Sequence, residues 1–235
     1  MLKIFQKVNF LITYLFSNNL NEKKLFKQLL SKDSIIIVDI GSNYGNFYKN
    51  VIKIFKNKNI TVHSVEPNSK LLEKQNISHG ELIKHPLAIS NNNGEQEFYI
   101  RKISSNSSLL NINYLDNFGN KKINKINVKT ITLNSFFQLF ELIEVDILKI
   151  DIEGYESKII SDIPKILKFC DLNFIKIEIV FKNLDSKYND DNFQIIYNNL
   201  YNSDFHLIGF TNIKYENQKL FYCDAIFQNR KYLNI

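Results

Sequence analysis

Cysteine, proline and glycine are scarce in this sequence, which has two, three and seven of them among 235 residues. Cys170 and Cys223 lie far apart and do not have a spacing typical of a zinc or redox site. We therefore expect two structural thiols in a reducing compartment, and hence a cytoplasmic protein. Because no stretch rich in proline, glycine or serine divides the chain, residues 33–235 are predicted to form a single domain.

The sequence also lacks an apolar run long enough to cross a membrane. Lys3 and Lys7 precede the apolar residues 8–16, which are too few to span the hydrocarbon core. The polar residues 17–19 follow, and they offer no small-residue cleavage site of the kind that ends a signal peptide. We expect residues 1–32 to form a helical segment that packs on the domain, with peripheral membrane contact as the alternative.

Negative charge is in the minority, with 24 aspartates and glutamates against 30 lysines and arginines and a net charge of +6. Such a balance can indicate acidic partners such as nucleic acid, anionic glycans or a membrane surface. The lysines are scattered, however, and the densest groups, 53–58 and 121–129, contain no interleaved recognition motif. We interpret them as a solvated surface and predict no nucleic-acid partner.

Apolar runs alternate with helical patterns along most of the chain. This alternation predicts an α/β fold in which a mostly parallel sheet of seven strands has helices on both faces. The polar residues 212–219 leave no room for a crossover helix, so the last strand is predicted to be antiparallel. The predicted strands are Ile35–Ile40, Thr61–Val65, Leu82–Ser90, Val145–Asp151, Asn173–Val180, His206–Thr211 and Leu220–Gln228. The predicted helices are Tyr44–Phe55, Ser69–Asn76, Tyr155–Phe169 and Asn192–Tyr201.

The pattern changes in an insertion at about residues 94–133. Residues 95–102 and 123–132 alternate apolar and polar side chains, which predicts an additional antiparallel β-hairpin. The segment between them, 104–120, is rich in serine and asparagine. Since the insertion should lie near the strand ends, it is a candidate substrate lid, with a plain surface loop as the alternative.

A glycine turn follows the first predicted strand. Residues 38–45 read Val-Asp-Ile-Gly-Ser-Asn-Tyr-Gly, and a helical pattern follows them. A strand, a glycine turn and a helix form half of a nucleotide-binding unit, because glycine lets a ligand approach the backbone. The next strand leads to Glu66, where a carboxylate can accept hydrogen bonds from both hydroxyls of a ribose. These residues together predict a cofactor site.

The turn lacks the middle glycine of the G-x-G-x-x-G pattern, on which the pyrophosphate of a dinucleotide rests. Asp39 stands two residues before Gly41, and its carboxylate would repel a pyrophosphate. The same carboxylate suits the ammonium group of S-adenosylmethionine. The turn therefore favours S-adenosylmethionine over a nicotinamide cofactor.

A second acidic motif, Leu-Lys-Ile-Asp-Ile-Glu-Gly-Tyr-Glu at 148–156, closes the fourth predicted strand. Alternation places Asp151 and Glu153 on one side, at the carboxyl end where parallel sheets bind ligands. Neighbouring carboxylates raise one another's proton affinity, which suits a general base. We expect Asp151 or Glu153 to act on the substrate, with Glu178 on the same rim, and Glu156 to cap the following helix.

At these motifs the sequence resembles the FkbM-type S-adenosylmethionine-dependent methyltransferases, over roughly residues 35–180. The likeness includes Val-Glu-Pro-Asn at 65–68, Leu-Ala-Ile-Ser at 87–90, Ser-Ser-Leu at 107–109 and Thr-Ile-Thr-Leu at 130–133. Ser42 stands where the family often has alanine, and Asn134 where it usually has aspartate. The resemblance implies a class I methyltransferase (Rossmann-like) fold and methyl transfer to a hydroxyl, of a sugar in a surface glycan or glycolipid.

The resemblance also implies roles for individual residues. Four residues of the first motif would hold the amino-acid end of the cofactor, namely Asp39, Gly41, Asn43 and Gly45. Glu66 would bind the ribose, and Pro67 and Ala88 would lie near the adenosine. Asp151 and Glu153 belong to the motif that faces the methyl group and the acceptor.

Several alternatives stay open. The acceptor could be a small-molecule natural product or a lipid, and the chain could be a non-catalytic module that keeps the fold. A hydroxyl needs a general base, or a metal that lowers its pKa. The three carboxylates could hold one Mg²⁺, although no metal is predicted. His85 and His206 are alternative bases, but lone histidines are more often structural. A nucleic-acid methyltransferase is disfavoured because the Asn/Asp-Pro-Pro-aromatic motif is absent.

Overall fold

The computed structural model describes residues 22–111, 122–181, 192–216 and 218–233. Ten strands form two sheets: β1 Ser34–Ile40, β2 Asn59–Val65, β3 Glu81–His85, β4 Ala88–Ser90, β5 Gly94–Arg101, β6 Lys122–Thr132, β7 Glu144–Ile150, β8 Asp171–Val180, β9 Phe205–Glu216 and β10 Lys219–Asn229. The helices are α1 Glu22–Leu25, α2 Asn46–Ile54, α3 Ser69–Glu73, α4 Leu133–Leu139, α5 Glu156–Ile159, α6 Ile163–Ile166 and α7 Asn192–Tyr201.

The larger sheet has seven strands in the order β3-β2-β1-β7-β8-β10-β9. The pairs β2–β3, β1–β2, β1–β7 and β7–β8 are parallel. Strand β10 lies between β8 and β9 and is antiparallel to both. The predicted α/β fold, with its mostly parallel seven-stranded sheet and reversed last strand, is confirmed.

Both faces of the large sheet are buried, as the continuous apolar sequence of β1 predicts. Side chains alternate between the two faces of a strand. Ile35 and Ile37 therefore pack with α2 on one face, in a cluster that includes Tyr48. Val38 and Ile40 pack on the opposite face, in the larger cluster that includes residues of α4 to α7.

Two predicted elements are each broken at a proline. The strand expected at 82–90 divides at Pro86, so β3 joins the large sheet and β4 the small one. Proline has no N–H to donate to a sheet ladder. The helix expected at 155–169 becomes α5, a 3₁₀ turn at Ile160–Asp162 and α6, with Pro164 in the first turn of α6. Proline at that position cannot donate to the preceding helical turn.

The insertion forms the smaller sheet, in the order β4-β6-β5. Strands β5 and β6 are antiparallel, which confirms the predicted hairpin, and β4 adds a parallel strand. Helix α4 follows it and was not predicted. Its first turn is capped by Thr132, whose Oγ1 accepts a hydrogen bond from the Ser135 N–H at 3.1 Å.

The described part of the N-terminal segment packs against the sheet. Helix α1 is followed by a 3₁₀ turn at Lys27–Ser31, and Phe26 contacts Phe174 of β8 with ring centroids 5.1 Å apart. The prediction for residues 1–21 lies outside the described residues, and the division of the chain at residue 32 stays a prediction. In the described part of the chain, no helix combines the length and apolar character needed to cross a membrane.

Candidate functional site

Two adjoining clefts lie at the carboxyl ends of β1, β2 and β7. The narrow cleft has about 490 Å³ of empty space, open solvent included, and is lined by Glu66 and by an apolar wall of Leu87, Ile89 and Phe98. The wide cleft has about 2020 Å³ of empty space, open to solvent, and includes Lys149 and Lys176. Residues shared by both clefts are Gly41, Asn43, Ser104, Ser105 and Asp151.

Gly41 brings the glycine turn against the end of β7. Its φ is +72°, in the left-handed region that favours glycine. A Cβ at this position would lie 1.8 Å from the backbone oxygen of Asp151. The Asp151 N–H donates to the Ile40 carbonyl at 3.1 Å, so the two strand ends are directly joined. The turn and the acidic motif consequently form one rigid unit.

A buried polar network supports the turn from below. The Gln75 amide donates to Ser42 Oγ at 2.9 Å and to the Asn43 carbonyl at 2.6 Å. Ser64 Oγ lies 2.7 Å from Ser42 Oγ and 2.6 Å from Gln75 Oε1. Ser42, where the family often has alanine, is therefore a structural hydrogen-bond partner in this protein.

Glu66 joins the glycine turn to the segment after β2. Its two carboxylate oxygens accept hydrogen bonds from the backbone N–H groups of Asn43 and Asn68, each at 2.9 Å. The residue is 5% exposed, and burial raises its pKa to about 7 against the opposing effect of these two bonds. Each oxygen keeps a second lone pair, so the carboxylate can still accept from two ligand hydroxyls.

Lys149 is a buried cation between the two acidic motifs. Its Nζ donates to the Gly41 carbonyl at 3.0 Å and forms ion pairs with Asp39 at 3.4 Å and Asp151 at 3.1 Å. Burial alone would lower the pKa of Lys149, but the charges of Asp151 and Asp39 raise it above its ordinary value. Asp39 is fully buried, and apart from this ion pair its oxygens accept no hydrogen bond from the described residues.

The chain turns sharply after Asp151. Glu153 and Gly154 have φ values of +58° and +96°. The Glu156 carboxylate accepts hydrogen bonds from the N–H groups of Ile152 at 2.7 Å and Gly154 at 2.9 Å. Glu156 is buried and thereby holds the loop that presents Asp151 and Glu153.

Three carboxylates converge beside this loop. Oxygen atoms of Asp151, Glu153 and Glu178 lie within 4.8 Å of one another. Burial, followed by the charge of Asp151, raises the pKa values of Glu153 and Glu178 well above their usual range. The carboxylate cluster, defined by these three residues, therefore contains two groups with raised proton affinity.

The described part of the insertion lies against the site. Ser104 Oγ is 3.2 Å from Asn43 Oδ1, and Ser108 Oγ donates to the Glu153 carbonyl at 3.0 Å. Leu109 lines the narrow cleft. The segment thus covers one side of the clefts, while residues 112–120 of the candidate lid lie outside the described residues.

The two histidines considered as bases do not line either cleft. His85 Nε2 lies 3.1 Å from Nδ1 of His63, and the two rings are stacked among Phe136 and Phe140. Burial, followed by the charge of His63, lowers the pKa of His85 to about 4. His206 packs its ring on Tyr201. These environments are those of structural histidines.

Seven of the ten site residues predicted from the sequence line the narrow cleft: Gly41, Asn43, Glu66, Pro67, Ala88, Asp151 and Glu153. Asp39 is fully buried beneath the turn, and Glu178 lines neither cleft but belongs to the carboxylate cluster. Gly45 begins α2 with φ +75°. The sequence reasoning missed Lys149 as a site residue, although its alternation with Asp151 was the signal that could have found it.

The family model described as the methyltransferase FkbM domain matches residues 39–206, which is more than half of the chain. The chain therefore belongs to the FkbM methyltransferase domain family. Membership in this family gives the chain a methyltransferase domain of the kind that uses S-adenosylmethionine as methyl donor. A search of curated proteins gave no match.

Solved methyltransferase structures are similar to the chain at low identity. An FkbM methyltransferase from Methylobacillus flagellatus is 15% identical, with a TM-score of 0.46 over 83% of this chain and 44% of that one. The chain thus spans less than half the length of that protein. TrmK from M. capricolum, crystallised with S-adenosylhomocysteine, is 15% identical, with a TM-score of 0.40 over 91% of this chain and 70% of that one.

Proposed function

We propose that the protein is an O-methyltransferase that methylates a hydroxyl of a sugar in a surface glycan or glycolipid. The carboxylate cluster beside the narrow cleft is the observation that supports an oxygen atom as the methyl acceptor. A hydroxyl is a poor nucleophile at neutral pH and needs a group that takes its proton. Glu153 and Glu178, whose pKa values are raised, are suited to that task. The sugar is proposed from the family resemblance alone.

The narrow cleft fits S-adenosylmethionine. Its lining combines an apolar wall with a few polar groups, as is usual for small-molecule sites. In this proposal Glu66 accepts the ribose hydroxyls, and Pro67 and Ala88 contact the adenosine beside the apolar wall. Asn43 and Gly41 line the path toward the amino-acid end, with Gly45 and Asp39 supporting the turn.

The residues at the junction of the clefts would orient the acceptor. When bound, S-adenosylmethionine supplies a methyl group on a sulfonium sulfur, which becomes a neutral thioether once the acceptor oxygen has taken the methyl. Asp151 lines both clefts, so the acceptor would enter through the wide cleft and reach the carboxylate cluster there. Holding the hydroxyl in line and excluding water would supply much of the rate enhancement. The carboxylate cluster would then take the hydroxyl proton.

The test is a transfer assay with isotopically labelled methyl donor against panels of oligosaccharides, glycolipids, lipids and amines. We expect label in a sugar product that survives mild base, because a methyl ether is stable where a methyl ester is hydrolysed. Glu153→Gln should lower turnover by about 10²–10⁴-fold, the usual contribution of a general base. Glu144→Gln, at an exposed glutamate that pairs with Lys32 at the opposite end of β7, is the matched control.

Two outcomes would contradict the proposal. Label found only on nitrogen or on a carboxyl group would replace O-methylation with another acceptor chemistry. Full turnover in Asp151→Asn and Glu153→Gln variants that still bind cofactor would remove the acid–base role. A methylated lipid that contains no sugar would support methyl transfer to oxygen but would contradict a glycan or glycolipid as the substrate.

A further inference from the structure

We propose that Lys149 is a positioning residue that commits Asp151 to an ion pair and so leaves Glu153 or Glu178 to take the proton of the acceptor hydroxyl. The inference rests on the proposed O-methyl transfer and divides the roles within the carboxylate cluster. In that step the hydroxyl oxygen forms the new O–C bond, and its proton passes to a glutamate oxygen.

Three oxygen atoms surround the ammonium group of Lys149. An ammonium group has three N–H donors. Lys149 directs its Nζ at three oxygens within 3.4 Å: the Gly41 carbonyl, Asp39 and Asp151. The side chain is 9% exposed, so solvent does not compete effectively for these contacts. Asp151 is the member of the cluster that Lys149 reaches.

The two glutamates have a different environment. Neither Glu153 nor Glu178 forms an ion pair or a side-chain hydrogen bond among the described residues. They lie next to the negative charge of Asp151, which discourages a further negative charge on either of them. A carboxylate without a cationic partner, lying beside another negative charge, binds a proton more readily. The geometry therefore separates one carboxylate that is paired with a lysine from two that are not.

Lys149 also offsets the free-energy cost of burying the charge of Asp39. An unpaired charge in a protein interior is costly, and removal of one partner from a buried ion pair is strongly destabilising. Lys149 neutralises Asp39 on one side and holds Asp151 on the other, across the Gly41 turn. The same contacts would fix the distance between the turn and the carboxylate cluster.

The test compares the affinities of two probes by calorimetry. S-adenosylhomocysteine has an uncharged sulfur, whereas sinefungin carries an ammonium where the transferred methyl group would be. The ratio of their dissociation constants reports which carboxylate faces that position, and it does so without knowledge of the acceptor. We expect Glu153→Gln or Glu178→Gln to reduce the preference for sinefungin at least about tenfold, as for the loss of one charge-assisted hydrogen bond.

The wild-type background and a lysine-free background give opposite expectations for Asp151. In the wild type, Asp151→Asn should change the ratio less than about twofold, since its charge is committed to Lys149. The lysine-free background is Lys149→Met with Asp39→Asn, which leaves no lone charge behind the turn. There, the additional Asp151→Asn change should reduce the ratio about tenfold, because an uncommitted Asp151 faces the ammonium.

Two further variants check the positioning role. Lys149→Arg keeps the cation and should retain the wild-type ratio. Lys165→Met, which removes an exposed lysine that pairs with Asp162, is the matched control and should not change this ratio.

The inference is overturned if Asp151→Asn in the wild-type background reduces the ratio as much as the glutamate variants do. It is also overturned if Asp151→Asn has no effect in the lysine-free background. Failure of the proposed function is distinguishable, because the ratios do not depend on the acceptor. An acceptor screen that yields only N-methyl products would overturn O-methylation and leave the pattern of ratios intact.

Discussion

Cofactor affinity is expected to depend on pH through Glu66. Burial raises the pKa of this carboxyl to about 7, and the proposed ribose hydroxyls donate to its ionised form. If the ionised form alone binds, the apparent dissociation constant is multiplied by 1 + 10^(pKa − pH). With a pKa of about 7 this factor is about 11 at pH 6 and about 1.1 at pH 8. S-adenosylhomocysteine should therefore bind about tenfold more tightly at pH 8 than at pH 6.

The direction of this pH dependence follows from the raised pKa of Glu66. A raised carboxyl pKa means that the group is largely protonated at pH 6 and becomes ionised as the pH passes through 7, so affinity rises over that interval. Calorimetric titration of S-adenosylhomocysteine at half-unit steps between pH 6 and 8 measures the curve. The amino group of the ligand stays charged throughout this interval and does not contribute.

Glu156 provides a matched control for Glu66. Burial raises its pKa to about 7 as well, but its carboxylate holds the loop at Ile152 and Gly154 and lines neither cleft. Glu66→Gln should bind weakly and with equal affinity at pH 6 and pH 8, whereas Glu156→Gln should keep the wild-type slope. An affinity that is flat in the wild type, or a slope that survives in Glu66→Gln, would refute the assignment of Glu66 to the ribose.

Three further predictions concern the folding stability of the protein and its ability to bind S-adenosylhomocysteine. Gly41→Ala should abolish S-adenosylhomocysteine binding and lower the melting temperature, because the new Cβ would lie 1.8 Å from the Asp151 carbonyl at a positive φ. Ser42→Ala should cost about 1 kcal/mol in the free energy of unfolding measured with urea, because it removes a buried hydrogen-bond partner of Gln75 and Ser64. The wild type should become less stable relative to His85→Gln as the pH falls from about 6.5 toward 4, because the unfolded state then binds a proton that buried His85, with its pKa lowered to about 4, excludes. The urea midpoints of the two proteins at pH 7 and pH 5 measure this difference, and a difference that does not change with pH would contradict the prediction.

The parallel sheet was predictable because its strands carry the strongest local signals. β1 and β7 are continuous apolar runs, and each is followed by a turn whose glycine is required by the backbone. The reversed strand β10 was predictable from the short polar connection before it. By contrast, the separation of β3 from β4 depends on Pro86, whose effect the apolar residues on both sides obscured.

The candidate site was predictable residue by residue but not as an arrangement. Asp151, Glu153 and Glu178 could be placed on one rim, since the carboxyl ends of parallel strands meet there. Their approach to within 4.8 Å depends on the positive φ values of Glu153 and Gly154, which sequence alternation does not reveal. The ion pairs of Lys149 likewise depend on the register of β1 against β7, where Asp39 lies beside Lys149.

The position of β10 has a consequence for how the protein is made. This strand is the last of the ten in chain order, yet it lies inside the sheet, between β8 and β9. Until it leaves the ribosome, β9 has no neighbouring strand, and β8 presents an open apolar edge of the kind that pairs with other chains. The nascent protein would therefore pass through an aggregation-prone stage that ends only when residues 219–229 are inserted. Truncation within these residues should reduce the yield of folded protein far more than an equal loss from the other end of the described sequence.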